Sequence, residues 1–257
     1  MCIIAYKPEG VATPAKDILK TCFENNPHGA GLFILRPGEK VAEIHKGYMS
    51  FADFWDFASV AVSPEDMAAY HFRITTSGGT CPENCHPFPV SSDVADLRAL
   101  SIRSRYVFVH NGIIGAGSPE LSDTQLYVRD TLTSLVGKLK NKATQDKIAA
   151  DTIGSRTLTV DARYHEAILT GNWIEDKDTG LLFSNSSYLV RDYGFGLRSH
   201  AYPHEVDDAG MLADNMDVCP DCGGSALLVS EYHGLYECES CHCLFDCYGN
   251  VWADGEF

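Results

Sequence analysis

The order of hydrophobic periods along the chain constrains its architecture more than any other feature. Short apolar or alternating runs near residues 2–6, 29–36, 41–45, 69–75 and 105–109 predict strands. Stretches of 3.6-residue period near 15–24, 51–58 and 122–135 predict helices. Strand patterns return near 157–161, 165–169 and 181–185. Strands and helices do not alternate regularly, and no glycine-rich fingerprint follows a strand. A doubly wound nucleotide-binding fold is therefore disfavoured. Two sheets with helices outside them fit better. A chain of 257 residues, 45% of them hydrophobic, suffices for one large domain and a small module, with a boundary between about 196 and 217.

Local signals refine this outline. Thr13 is expected to cap the first helix with Pro14 at its first position, and Ala15, Ile18, Leu19, Cys22 and Phe23 form an apolar face. Residues 25–29 (Asn-Asn-Pro-His-Gly) break that helix, and Pro37-Gly38 turns between two strands. Ser50 can cap a second helix, with Asp53 at the capping-box position and Phe51, Phe54, Trp55 and Ala58 facing the core. Residues 76–93 are too rich in Gly, Pro and Cys for a regular element. Ser122 starts a helix carrying Leu126, Val128, Leu132 and Leu135, and residues 138–155 are polar enough for a surface helix or loop.

The N-terminus has no basic leader and no long apolar segment, and nothing approaches the 18 or so apolar residues of a membrane span, so a cytoplasmic location is expected. The formal charge of −15 is uneven. Residues 205–257 hold twelve acidic groups and no Lys or Arg, leaving the rest of the chain at −3. Nucleic acid, which needs cationic groups to release counterions, is an unlikely partner for that tail. A basic protein surface, or simple solubility, accounts for it.

Cys2 follows the initiator Met directly. Removal of Met leaves a thiol beside a free α-amine, whose reference pKa of roughly 7.7–8.0 makes part of it neutral near pH 7. That amine can take the thiol proton and later return one to a leaving group, so nucleophile and base come from a single residue. The alternative is a buried cysteine in a first strand. Arg73, at a strand end running into Thr76-Ser77-Gly78-Gly79, can give a carboxylate a two-donor contact or form a surface salt bridge. Asn111-Gly112 supplies an amide donor and an unobstructed backbone N–H, which suits an oxyanion hole, although Asn-Gly is also a common tight turn. Asp123, one residue into a helix, can bind an ammonium group or favour the helix start.

These segments together resemble the glutaminase domain of class II glutamine amidotransferases. The matching pieces are Cys2, residues 26–32 (NPHGAGL), 71–78 (HFRITTSG), 84–88 (NCHPF), 110–114 (HNGII), 122–124 (SDT) and 181–185 (LLFSN), spread over roughly residues 2–195. The resemblance implies an α+β fold, the four-layer αββα sandwich of N-terminal-nucleophile hydrolases, over residues 2–205. It implies that Cys2 attacks the glutamine side-chain carbonyl while Asn111 and Gly112 hold the oxyanion. Arg73 would take the substrate α-carboxylate and Asp123 its α-ammonium, with Thr76 and His86 shaping the pocket wall. Ammonia and glutamate would form through a glutamyl thioester. Family enzymes usually carry a large second domain that uses the ammonia, and this chain has no room for one. A separate partner enzyme is therefore expected to accept it. Phe72 stands where the family motif often has Thr.

Residues 215–257 carry Cys219-x-x-Cys222 and Cys238-x-x-Cys241 with fifteen residues between them. Paired Cys-x-x-Cys units at this spacing predict a zinc-ribbon-like module with one structural Zn and four thiolates. Cys243 and Cys247 are surplus, and Cys243 could replace Cys241. So small a module draws much of its folding free energy from the metal. Cys81 and Cys85 suit a local metal or disulfide, or have no special role. Two further readings stay open: a hydrolase of γ-glutamyl or other amides with the same fold, and an inactive protein-binding module.

Overall fold

Strict alternation along β1 (Ile3–Lys7) sends Ile3 and Ala5 to one face of a sheet and Ile4 and Tyr6 to the other, and all five residues are buried. The computed structural model in which this strand lies describes residues 2–75, 79–118, 120–189, 225–230, 235–238, 244–246 and 251–252. It divides into two units, Met1–Asp192 and Tyr193–Phe257.

In the first unit β1 is followed by α1 (Lys16–Asn25), β2 (Ala30–Leu35), β3 (Ala42–Tyr48), α2 (Phe51–Ala61) and β4 (Met67–Phe72). A 3-10 turn (Pro82–Asn84), β5 (Phe88–Pro89), α3 (Val94–Arg98), β6 (Ser101–Ser104) and β7 (Tyr106–Asn111) come next. The helical stretch after them comprises α4 (Asp123–Tyr127), a π-helical turn (Val128–Leu132), α5 (Thr133–Leu135) and a 3-10 turn (Val136–Lys138). α6 (Lys142–Asp151), β8 (Arg156–Asp161), β9 (Glu166–Thr170), β10 (Ile174–Glu175) and β11 (Leu182–Phe183) complete it.

The result is a mixed α+β fold with two antiparallel sheets. The larger has the order β10-β11-β1-β4-β2-β3-β6 and the smaller β5-β7-β8-β9. The period of two assigns each face. Ala30, Leu32 and Ile34 of β2 and Ala68, Tyr70 and Phe72 of β4 pack with Leu19 and Cys22 of α1 and Phe54 and Ala58 of α2. The opposite faces bring Ile4, Phe33, Leu35 and Ala69 against Val107, Val109, Leu158 and Val160 of the smaller sheet. Phe108, on the far side of β7, packs with Tyr127, Val128, Leu132 and Ile148. Phe54 is fully buried and meets Phe72 edge-on at 5.1 Å, so truncation to Ala would cost about 3–5 kcal/mol.

Several elements depart from expectation. α1 begins at Lys16, and its N-cap is Ala15 with no side-chain cap, not Thr13. Pro14 is buried and shares an apolar cleft with Trp55 and Tyr70, which holds the segment extended ahead of the helix. Ser50 does cap α2, accepting from Asp53 N at 3.2 Å. β4 stops at Phe72 and not near residue 75. The Arg73 amide still bonds Gly29 O at 2.9 Å, but the next two amides turn to side chains, Ile74 N to Cys2 Sγ and Thr75 N to His28 Nδ1. The 122–135 helix is opened by the π turn, which rotates the apolar stripe so that Tyr127, Val128, Leu132 and Val136 are buried and Leu126 and Leu135 only partly. α3 and β6, within a stretch that lacks a clear period, were not expected.

The second unit contains β12 (Ala226–Ser230), β13 (Leu235–Cys238), β14 (Leu244–Asp246) and β15 (Val251–Trp252), a four-stranded antiparallel meander. Among the described residues no helix is long and apolar enough to cross a membrane.

Candidate active site

The site forms where β1, β4, β7 and α4 begin or end. Cys2 immediately precedes β1 and is half-buried. Its Sγ accepts from Ile74 N at 3.3 Å and lies 3.4 Å from Ile74 O. Burial pushes the Cys2 thiol pKa up, opposed by the Ile74 amide and the Arg73 guanidinium. A thiol in that state needs a base to become a nucleophile.

Arg73 follows β4 directly and is buried. Its Nη1 donates to Thr75 Oγ1 at 2.9 Å and to Gly79 O at 2.8 Å. The guanidinium is thus oriented by the segment that carries it.

β7 ends in Asn111. By alternation from Val107 and Val109, this residue takes the face toward the larger sheet, where its Nδ2 lies 2.9 Å from Ser184 Oγ. Gly112 comes next with φ +146, a conformation that favours glycine, and a Cβ there would overlap the Ser155 side chain. Ser155 is itself held at 3.0 Å by His110 Nε2, whose Nδ1 meets Thr124 Oγ1 at 2.9 Å. Asp123 opens α4, where Ser122 and Gln125 form a reciprocal capping box. The Asp123 carboxylate accepts from Ile114 N at 2.8 Å, which ties the helix start to the loop after Gly112.

One small pocket, open to solvent, gathers these parts. Cys2, Arg73, His86, Gly112 and Asp123 line it, together with Ile74, Asn84, His110, Ser122 and Thr124. Asn111 stands next to this lining, and Thr76 lies outside the described residues. Asn84 and Thr124 stand in segments that resemble the family but, like Ser155, carry no assigned role in the sequence, because short polar side chains in loops and helix starts have no periodic signal. The sequence places Ser184 and Asn185 in a strand segment that resembles the family and assigns them no individual role. Ser184 Oγ accepts from Ile4 N at 2.8 Å, and Asn185 Nδ2 donates to Cys2 O at 2.7 Å.

His71 lies behind the pocket lining with its ring centroid 4.3 Å from that of His86, and His110 is 6.2 Å from His86. Burial lowers all three pKa values, to about 3 for His71, to about 4 for His110 and well below the usual range for His86. The neighbouring Arg73 charge adds to this for His71 and His86. All three rings are therefore neutral near pH 7. Lys46 is also buried. Its Nζ donates to Glu83 O at 2.9 Å and Leu97 O at 2.7 Å and sits 3.9 Å from the Phe88 ring centroid. Burial lowers its pKa to about 7.

Cys81 and Cys85 are free thiols, and burial raises the Cys85 pKa to about 11. Among the described residues no group of three or more His, Cys, Asp or Glu is arranged to hold a metal ion. Of the expected zinc ligands Cys219, Cys222 and Cys241 lie outside the described residues, as do Cys243 and Cys247. Cys238 is buried at the last position of β13, just before the connection to its antiparallel neighbour β14.

No family model matches the sequence, and no curated protein matches it either.

Proposed function

We propose that this protein is a glutamine amidohydrolase of the class II glutamine amidotransferase type, with Cys2 as N-terminal nucleophile and an ammonia-using partner enzyme as acceptor. The observation that carries this reading is the single pocket lined by Cys2, Arg73, His86, Gly112 and Asp123, which come from five separate segments. The succession of helices, larger sheet, smaller sheet and helices supports the four-layer αββα sandwich that such enzymes use. A structural zinc in the second unit, held by Cys219, Cys222, Cys238 and Cys241, would supply folding free energy and take no part in the chemistry.

The chemistry needs Met1 removed. The neutral α-amine of Cys2 takes the thiol proton, and Sγ attacks the side-chain carbonyl carbon of glutamine. The carbonyl electron pair moves to oxygen, where Asn111 and the Gly112 N–H donate to it. The new ammonium returns its proton to the amide nitrogen and ammonia departs, leaving a γ-glutamyl thioester. The amine then takes a proton from water, the resulting hydroxide attacks the thioester, and the departing thiolate recovers that proton. Arg73 binds the substrate α-carboxylate and Asp123 the α-ammonium, which fixes the scissile amide against the sulfur.

The test measures ammonia release from glutamine, asparagine and γ-glutamyl amides, with intact-mass analysis after exposure to an electrophilic glutamine analogue. Release from glutamine and one adduct on a chain starting at Cys2 are expected. No release, or an adduct at another residue, overturns the reading.

A further inference from the structure

The buried polar atoms between the two sheets do not balance as they stand. Ser184 Oγ receives Ile4 N–H at 2.8 Å and Asn111 Nδ2 at 2.9 Å, which occupies both of its lone pairs. Asn111 Oδ1, meanwhile, is buried with no hydrogen-bond partner among the described residues. Asn111 and Ser184 are each 1% exposed. A half-turn of the terminal amide exchanges its oxygen and nitrogen at nearly unchanged positions. Ser184 then accepts from Ile4 N and passes its own proton to Asn111 Oδ1, so the hydroxyl and the amide oxygen are paired. The same half-turn releases both Nδ2 hydrogens from Ser184.

On the amidohydrolase reading above, we infer that Ser184 is the positioning residue of the oxyanion site. It presents its hydroxyl proton to the Asn111 amide oxygen and so commits the amide nitrogen to the substrate. The direction of this relay is set by β1. The Ile4 amide can only donate, which makes the Ser184 oxygen the acceptor and frees its proton for the other side. Ile4 is two residues from Cys2, and the Ser184 amide in turn donates to Ile4 O at 3.0 Å. One serine therefore refers the oxyanion donor on the smaller sheet to the strand that carries the nucleophile on the larger one. Without the hydroxyl the amide has no partner to select its orientation, and half of its rotational states turn an oxygen toward the developing negative charge.

The experiment is a double-mutant cycle on glutamine hydrolysis with wild type, Ser184→Ala, Asn111→Ala and the double variant. Ser184→Cys, which keeps the size with a weaker donor, is the second probe. Ser184→Ala is expected to lower kcat roughly 10- to 100-fold with KM within about threefold, a transition-state loss. In the Asn111→Ala background the same change should cost less than about threefold, and Ser184→Cys should fall between wild type and Ser184→Ala. Equal losses in both backgrounds, or a rise in KM at constant kcat, overturn the positioning role while leaving the amidohydrolase standing. Should Ser184→Ala not fold, Ser184→Cys in the two backgrounds decides the matter alone. A wild-type protein that releases no ammonia from glutamine refutes the underlying reading and the Ser184 role together.

Discussion

Asn185 donates its side-chain amide to the Cys2 carbonyl at 2.7 Å, joining two residues 183 positions apart. The backbone just ahead of β1 is thereby fixed by the segment that follows β11, and the sulfur inherits that fixed position. Asn185→Ala is expected to cost about 1 kcal/mol of stability, the net value of one hydrogen bond. Its effect on the alkylation rate of Cys2 should be larger, up to about 100-fold, because a displacement of about 1 Å suffices for that loss. Thermal melting and timed alkylation of the same preparation separate the two effects.

The raised pKa of the Cys2 thiol leaves it protonated near neutrality, so its reactivity should follow the proposed base. Below roughly pH 7.7–8.0 the α-amine is protonated and cannot take the thiol proton, and alkylation should slow as pH falls through that range. A variant that retains Met1 carries a peptide nitrogen at that position and should lose the limb together with nearly all hydrolysis. Alkylation followed from pH 6 to 9 in both forms checks this, and Cys2→Ala should abolish hydrolysis outright.

Arg73 and Asn111 should fail differently. On the proposed reading, Arg73→Ala would remove a ground-state contact to the substrate carboxylate and mainly raise KM. Asn111→Ala would remove an interaction made in the transition state and lower kcat about 10²- to 10³-fold. Steady-state kinetics with glutamine distinguish them.

Two glycines with positive φ should tolerate alanine very differently. Gly112 has φ +146 and no room for a Cβ beside Ser155, whereas Gly115 has φ +65 and nothing within 4 Å of that point. Gly115→Ala should cost only backbone strain, about 1–2 kcal/mol. Gly112→Ala adds a steric clash and should abolish activity. Melting curves and ammonia release for both variants make the comparison.

Lys46 predicts a stability slope. Its pKa is about 7 in the folded protein against the ordinary 10.5, so between those values the unfolded chain binds more protons. Stability should therefore rise with pH from about 7 to 10, by at most about 1.4 kcal/mol per pH unit, and this contribution is lost as pH falls through 7. Lys46→Met should flatten that rise in urea titrations made across the range.

The strands of the central sheets were legible because β1, β2, β4, β7 and β8 carry continuous or alternating apolar residues buried on both faces. The Ser50 and Ser122 caps were legible because their partners lie three residues away. The start of α1 was not, because the surroundings of the buried Pro14, Trp55 and Tyr70 among them, are distant in sequence. The contacts of Ser184 and Asn185 were hidden for the same reason. Their partners are Ile4, Asn111 and Cys2, and nothing local distinguishes a serine that turns out of a strand from one that stays in it. Within the pocket, residue types pointed to chemistry, while the neutrality of His71, His86 and His110 depends on burial that only the packed fold reveals.

The position of β1 also sets a timetable. It pairs with β4 on one side and β11 on the other, so its second neighbour leaves the ribosome about 180 residues after it. Until that last strand docks, one edge of β1 stays unpaired, so the larger sheet cannot close before nearly the whole first unit has been made.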